Sequence, residues 1–317
     1  LVMLLLCLPM VVWAQTPTGG LDGTITDPSG GVIPGATVTV TELATSRAIN
    51  LATNEAGRYS VRNLLPGKYN IRIEAPGFTA KVVENVSVSS GQVVNGDQTL
   101  QIGGTQQVVQ VAAAAVAVDT TRQTVDSIVT EKDIRDLPLF GRNFLDLAAL
   151  APGTYIRDGG AIDPTKSVAY RTVGVAGRSG TGTRVQVDGI DVTDETVGTT
   201  AANFSPESVQ EFQLTRSSLD PSTSLTSSGA INIISKSGSN AVHGTWFWDY
   251  YNQDMSARPG FFVPEPGQGN PEESRKRTGG GVGGPFVKDK MFWFVNYEKT
   301  WQTGLTRSQV PEFPSLN

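Results

Sequence analysis

Over most of its length the chain alternates apolar and polar residues at period two, between short clusters of Gly, Pro, Asn and Asp. That pattern predicts half-buried strands joined by turns. It is densest in residues 19 to 103. Ala36, Val38 and Val40 fall on one side of a strand while Thr37, Thr39 and Thr41 fall on the other, and Tyr69, Ile71 and Ile73 repeat the alternation. Asn54-Glu55-Ala56-Gly57 and Leu65-Pro66-Gly67-Lys68 read as turns, the glycines supplying positive φ and Pro66 pre-setting φ. Seven or so short strands in this space predict a small sandwich able to fold alone.

The alternation fades after Gly103-Gly104-Thr105. Residues 104 to 125 read as a mobile linker with one short β-prone patch, Gln107-Val108-Val109-Gln110-Val111, followed by an alanine-rich stretch. Residues 126 to 240 predict a mixed unit. Thr130-Glu131-Lys132-Asp133 is a capping box opening a short helix that Pro138 ends. Phe144, Leu147 and Leu150 stand at near-helical spacing before Pro152-Gly153. Strands are expected at Thr183 to Val187, turning at Asp188-Gly189 into Ile190 to Val192, and at Val209 to Leu214 and Ala230 to Ser235.

The pattern changes scale near the C-terminus. His243 to Asn252 is a strand of about ten residues, the length that a tilted strand needs to cross a bilayer. A polar stretch follows to Arg277. Gly279 to Phe286, the tight turn Val287-Lys288-Asp289-Lys290 and Met291 to Trp301 complete two further strands. Trp246, Trp248 and Tyr250 share one side of the first strand, with Thr245, Phe247 and Asp249 on the other. In the third strand, Trp293, Val295 and Tyr297 oppose Asn296, Glu298 and Thr300. Long loop, short turn and aromatic rows are the pattern of a transmembrane β-barrel, with Trp246, Trp248, Tyr250, Trp293, Tyr297 and Trp301 as membrane-interface residues. Three strands cannot close a cylinder and open edges are not tolerated in lipid, so the rest of the barrel is expected downstream. A water-soluble sheet would need a partner layer for these aromatics, and the remaining residues do not provide one.

Composition narrows the chemistry. Leu1 to Ala14 is an apolar run of signal-peptide length with an expected cleavage after Ala14, although the chain does not begin with Met and lacks a basic n-region. Cys7 is the only cysteine, which excludes disulfides and cysteine metal sites from the mature chain. A formal net charge of −5 and no basic cluster beyond Arg275-Lys276-Arg277, read as a solvated loop tip, argue against nucleic acid. His243 is the only histidine, so neither a Ser-His-Asp triad nor a histidine-rich zinc site is expected, and the chain reads as a non-enzyme without a cofactor. Gly279-Gly280-Gly281-Val282-Gly283-Gly284 satisfies the letter of a dinucleotide fingerprint, but Pro285 follows and no helix opens there; small residues in a curved barrel strand explain it. Asp188, Asp191, Asp194 and Glu195 form a weak calcium candidate whose spacing is not that of an EF-hand, and an acidic hairpin tip is the preferred reading.

Two resemblances join these readings. Gly23-Thr24-Ile25-Thr26-Asp27, Thr53 to Tyr59, Leu65-Pro66-Gly67-Lys68-Tyr69 and Ala75-Pro76-Gly77-Phe78 resemble the carboxypeptidase regulatory-like family, which implies a prealbumin-like sandwich and no catalyst. Ile128-Val129-Thr130, Leu137-Pro138, Gly141-Arg142-Asn143-Phe144, Arg184 to Gly189 and Ser228 to Asn240 resemble the plug domain of TonB-dependent outer-membrane receptors. The order of parts, with Gly284-Pro285-Phe286-Val287-Lys288-Asp289-Lys290-Met291-Phe292-Trp293, is similar to the Oar-like branch. Leu219 to Ser224 departs from the family, which usually has a Tyr-Gly or Phe-Gly pair there.

The resemblance implies a mainly β chain in five parts. These are a signal peptide (1–14), a sandwich (15–103), a linker with a possible TonB box (104–125), an α+β plug (126–240) and the first strands of a truncated barrel (241–317). It implies residence in the outer membrane with a periplasmic N-terminal domain. The implied partners are outer-membrane lipid, a TonB-type energising protein and an extracellular ligand, oligosaccharide or peptide among the candidates. The patch Gln107 to Val111 stands where related receptors keep the TonB box; that reading and a last sandwich strand running into the linker stand level. Arg171, Arg178, Arg184 and Arg216, set among Ser and Thr, suit a plug surface that meets a hydrated lumen. The alternatives are a carbohydrate-binding-like surface module and an adhesion or secretion-related barrel.

Overall fold

A computed structural model describes residues 18–103, 108–112, 126–136, 142–158, 171–194, 199–200, 203–216, 226, 228–255 and 273–304. The expected signal segment, Cys7, Pro138, Glu195 and the loop at 219–224 lie outside them.

The N-terminal unit contains β1 (Gly19–Thr26), β2 (Thr37–Glu42), β3 (Ala48–Ala52), β4 (Arg58–Leu64), β5 (Gly67–Glu74), β6 (Ala80–Val88), β7 (Val93–Asn95), β8 (Gln98–Thr99) and β9 (Val108–Ala112). One sheet has the order β3-β2-β5-β6-β9. The other has β4-β1-β7, with β8 also paired to β1. Alternation decides which side chains meet between the sheets: Leu21 and Ile25 from one face Val38, Ile71 and Ile73 from the other, all buried. Tyr59 closes one end, its hydroxyl donating to Gly96 O at 2.8 Å. Burial first, then the Asp97 and Asp22 carboxylates, pushes this phenol well above its usual pKa and keeps it a donor. A Cβ at Gly96 would lie 2.2 Å from the same hydroxyl oxygen, so only glycine fits.

The Asn54 turn forms as expected, with Oδ1 accepting from the N–H groups of Ala56 and Arg58 and Gly57 at φ +67°. The turn at Leu65 to Lys68 needs a correction. Gly67 already belongs to β5, and the left-handed residue of that corner is Asn63, at φ +59°. Asn is one of the few non-glycine residues that visit that region, and here its Oδ1 accepts from Thr18 Oγ1 at 3.4 Å. Of the two readings left level for the patch after Gly103, the structure shows the sandwich strand: Val108–Ala112, as β9, pairs in parallel with β6 from Ala80 to Glu84.

The middle unit is α+β. It contains β10 (Asp126–Thr130), α1 (Glu131–Asp136), β11 (Thr154–Asp158), β12 (Arg171–Val175), β13 (Thr183–Val187), β14 (Ile190–Asp191), β15 (Thr193–Asp194), β16 (Thr199–Thr200), β17 (Val209–Thr215) and β18 (Gly229–Ser235). The main sheet runs β10-β17-β18-β13-β14, with β13 and β18 parallel. The capping box is present: Asp133 N–H donates to Thr130 Oγ1 at 3.5 Å, and Thr130 N–H donates back to Asp133 Oδ2 at 3.2 Å. Phe144–Leu150 is a 3₁₀ helix, not the α-helix that the spacing suggested; Phe144 and Leu147 are buried but Leu150 is exposed. Seven residues, about two turns, between the Asn143 cap and Pro152-Gly153 are too few for α-helical bonding to win. Asp188 and Gly189 adopt φ +50° and +82°, as a two-residue hairpin turn requires.

The C-terminal sheet is β19 (His243–Asn252), β20 (Glu273–Val287) and β21 (Met291–Gly304), paired in that order and antiparallel throughout. The turn at Lys288 to Lys290 stands where the sequence placed it, with Asp289 at φ +63°. β20 begins earlier than expected. Arg275-Lys276-Arg277 is strand, paired with Asp249, Tyr250 and Tyr251, and is therefore not a solvated loop tip. Charge misled the reading: Arg275 and Arg277 stand on the polar inner face, and Lys276 stands on the outer face beside the Tyr250 ring. Among the described residues no helix is long and apolar enough to cross a membrane, which says nothing of strands.

Residues 19–103 expressed alone are expected to unfold cooperatively in urea, and Ile71→Ala to lower their stability by about 2–5 kcal/mol. Limited proteolysis that leaves no stable core in this range would refute the autonomy of the sandwich.

Candidate functional site: the inner face of the barrel wall

Register divides β19, β20 and β21 into two faces. Outward rows run Gly244, Val282, Val295; then Trp246, Gly280, Tyr297; then Trp248, Thr278, Lys299; then Tyr250, Lys276, Trp301. Trp246 and Tyr297 are 75% and 65% exposed, an extent for large aromatics that water alone does not favour. The lysines enter where the aromatic rows end, Lys276 Nζ lying 5.7 Å from the Tyr250 ring and Lys299 Nζ 4.8 Å from the Trp301 ring. Inward rows are polar: Thr245, Gly281, Asn296; then Phe247, Gly279, Glu298; then Asp249, Arg277, Thr300; then Tyr251, Arg275, Gln302. The glycine stretch serves this face, where the Phe294 ring lies so close that a Cβ at Gly281 would meet it at 2.7 Å.

The middle unit seats itself on the inner face through one cation. Arg142 directly precedes the Asn143 cap, whose Oδ1 accepts from Leu145 N–H at 3.0 Å, and buried Phe144, which meets Phe204 edge-on at 5.6 Å. Anchored on that side, Arg142 turns outward at φ +48°, a conformation that costs a non-glycine residue about 1–2 kcal/mol. Its Nη2 stands 3.2 Å from Glu207 Oε1 in the middle unit, and its Nε 3.6 Å from Glu298 Oε2 on β21. The guanidinium carbon lies 3.6 Å from the centre of the Phe247 ring on β19. Two further bonds complete the contact: Ser205 Oγ donates to Glu298 Oε2 at 2.6 Å, and Thr245 Oγ1 donates to Glu207 Oε2 at 2.9 Å. Side-chain exposures of 17–18% remove much of the screening that makes surface ion pairs weak. Such a contact holds two units together without a large apolar surface and separates without exposing one.

Deeper along the wall, Arg277 is 3% exposed, with Nε 4.0 Å from Asp249 Oδ2. The arginines expected on a lumen-facing surface are mostly engaged within the middle unit. Arg171 pairs with Asp146, Arg184 with Asp191, and Arg216 bonds Pro152 O and Ser127 Oγ. The acidic hairpin is likewise committed: Asp188 accepts from Ser235 N–H and Oγ, and Asp191 accepts from Thr193 N–H. Among the described residues no three His, Cys, Asp or Glu side chains group as metal ligands. His243 is exposed and bonds within its own turn, to Ser239 and Ala241. Within Gln107 to Val111, the described residues 108 to 111 belong to β9. Arg142 and Glu298 are far apart in the sequence and nothing local brings them together; the motif Gly141-Arg142-Asn143-Phe144 was the one available signal.

Residues 20–101 match the family model of the carboxypeptidase regulatory-like domain, and residues 234–317 that of an outer membrane beta barrel domain. The chain is thus a mainly β outer-membrane protein that joins a regulatory-like sandwich to a barrel. Over 280 residues it is 25% identical to the TonB-dependent transporter Oar of Myxococcus xanthus, covering 83% of this chain and 25% of that protein. The chain therefore spans about a quarter of the length of this curated relative. Solved structures with partial similarity include the siderophore receptor PirA of Acinetobacter baumannii, 24% identical with a TM-score of 0.41, covering 55% of this chain and 24% of that one. The ferric enterobactin receptor PfeA of Pseudomonas aeruginosa (mutant G324V) is 20% identical with a TM-score of 0.42, covering 59% and 26%. The Myxococcus relative is a transporter by name, in agreement with the non-enzymatic reading.

Arg142→Ala and Glu298→Ala are expected to be non-additive, with a coupling of about 1–3 kcal/mol in a double-mutant cycle read by denaturant unfolding in detergent. Arg142→Lys should recover only part of the loss, because an ammonium cannot stack on Phe247 while reaching both carboxylates.

Proposed function

We propose that this protein is a TonB-dependent outer-membrane receptor that binds a ligand at the outer face and takes it up with energy from the inner membrane. In this reading, the middle unit, residues 126–240, is the plug. The observation that carries it is the Arg142 contact: a separately folded unit lies against the polar inner face of the barrel strands, held by an ion pair, a cation–π contact and hydroxyl bonds. A polar seat suits a plug that must be displaced or remodelled in a hydrated lumen, since water can take over the hydrogen bonds of the charged groups that parting exposes. The outward aromatics Trp246, Trp248, Tyr250, Trp293, Tyr297 and Trp301 meet lipid and its interface. The segment between β19 and β20 is the first extracellular loop and joins the ligand-binding surface. Residues 107 to 111 are the site for the energising protein, which would add a strand there with main-chain bonds carrying the affinity.

Binding of the purified periplasmic domain of a TonB-type protein to the full-length receptor in outer-membrane vesicles tests this. Val109→Pro and Gln110→Pro each remove a backbone donor and should weaken binding by about tenfold or more. Binding untouched by both places the partner site elsewhere. If there is no binding at all and residues 19–103 bind glycan, the surface-module alternative replaces the receptor.

A further inference from the structure

The sandwich is not merely tethered to the other units; it is seated on both of them at once. Its first seat is on the middle unit. The N–H of buried Ser90, in the corner between β6 and β7, donates at 2.9 Å to Oε1 of Glu211 on β17, a carboxylate only 5% exposed. On the neighbouring residue of the same strand, Gln210 Nε2 donates to Pro66 O at 2.8 Å, in the corner between β4 and β5. A carboxylate buried at a junction is tolerated only while its hydrogen bonds persist, so this seat is specific.

The second seat is on the barrel rim and turns on Asn240. Its backbone N–H donates to Ala44 O at 2.9 Å, and its side-chain Nδ2 reaches Ser46 Oγ at 3.2 Å; both partners are in the corner between β2 and β3 of the sandwich. The same Nδ2 donates to Asp289 Oδ1 at 2.7 Å, and Oδ1 accepts from Asp289 N–H at 2.8 Å, in the turn between β20 and β21. One amide thus ties the sandwich, the segment leaving β18 and the first turn of the barrel. Ser46 and Asp289 both hold positive φ, at +59° and +63°, so each is fixed in a turn that presents it to Asn240. Close by, Gly238 lets that segment lie against the barrel strands, where a Cβ would stand 2.3 Å from Trp293 O.

We propose that the sandwich is a strap across the middle unit and the barrel rim, holding the middle unit in place until the sandwich undocks. The proposal rests on the reading of the middle unit as a plug. It adds a point of loading: β9 is part of the sandwich's own sheet, so traction on residues 107 to 111 pulls on the sandwich and on the two seats that hold it.

The test reads undocking directly, through a Ser90→Cys reporter in the full-length receptor in outer-membrane vesicles that contain no energising protein. The same receptor without the reporter serves as background. A water-soluble maleimide should label the reporter slowly. Asp289→Ala, which acts only from the barrel side, should speed labelling about tenfold by raising the open fraction of the junction. Ser46→Ala, a milder change at an exposed hairpin tip, should move it in the same direction. Labelling as fast as in the denatured protein, or a rate indifferent to both variants, overturns the strap. With the energising protein absent, this result is independent of the partner-binding result that decides the receptor reading.

Discussion

In lipid, every backbone donor and acceptor must find a partner within the protein, and that requirement shapes the C-terminal sheet. β20 meets it on both sides, pairing antiparallel with β19 over His243 to Asn252 and with β21 over Met291 to Gly304 around the turn at Asp289. Pairing at that length imposes strict alternation, which places Trp246, Tyr297 and Val295 outward and Thr245, Asn296, Glu298 and Arg277 inward. A wall that is polar on its inner side cannot recruit a neighbour by burying apolar surface. Whatever packs there must do so by charge and hydrogen bonds, and the middle unit does.

The Arg142 contact is arranged accordingly. Asn143 and Phe144 fix the backbone on one side of the arginine, and the strained φ of Arg142 is sustained by what the guanidinium reaches: two carboxylates and the Phe247 ring. Glu207 and Glu298 each have a second partner, Thr245 and Ser205, so neither carboxylate depends on the arginine alone. Specific position with little hydrophobic adhesion is the physical character expected of an interface that forms and parts repeatedly.

The sandwich introduces a different kind of constraint. Its core is apolar and self-sufficient, built from Leu21, Ile25, Val38, Ile71 and Ile73, while its contacts with the rest of the protein are made by corners at Ala44 to Ser46, Pro66 and Ser90. A rigid body held by polar corners moves as a whole, which is why the two seats are expected to open together.

What the sequence determined by itself was local. Period-two alternation fixed β2, β5, β19 and β21 and the sidedness of Trp246 and Asn296, because side-chain direction along a strand follows from backbone geometry alone. Asp188-Gly189 fixed a hairpin because positive φ at two successive residues is open to few residue types. Only the tertiary structure decided which distant groups meet. Arg142 lies 65 residues from Glu207 in the chain, and Asn240 lies 194 from Ser46; nothing in either neighbourhood encodes the other. Arg171, Arg184 and Arg216 looked equally suited to face the lumen, and folding turned them toward partners in their own unit. The Arg275-Lys276-Arg277 run was misread for the same reason. A charge has no fixed sidedness until the wall beside it exists, whereas an alternating strand carries its sidedness in its own backbone.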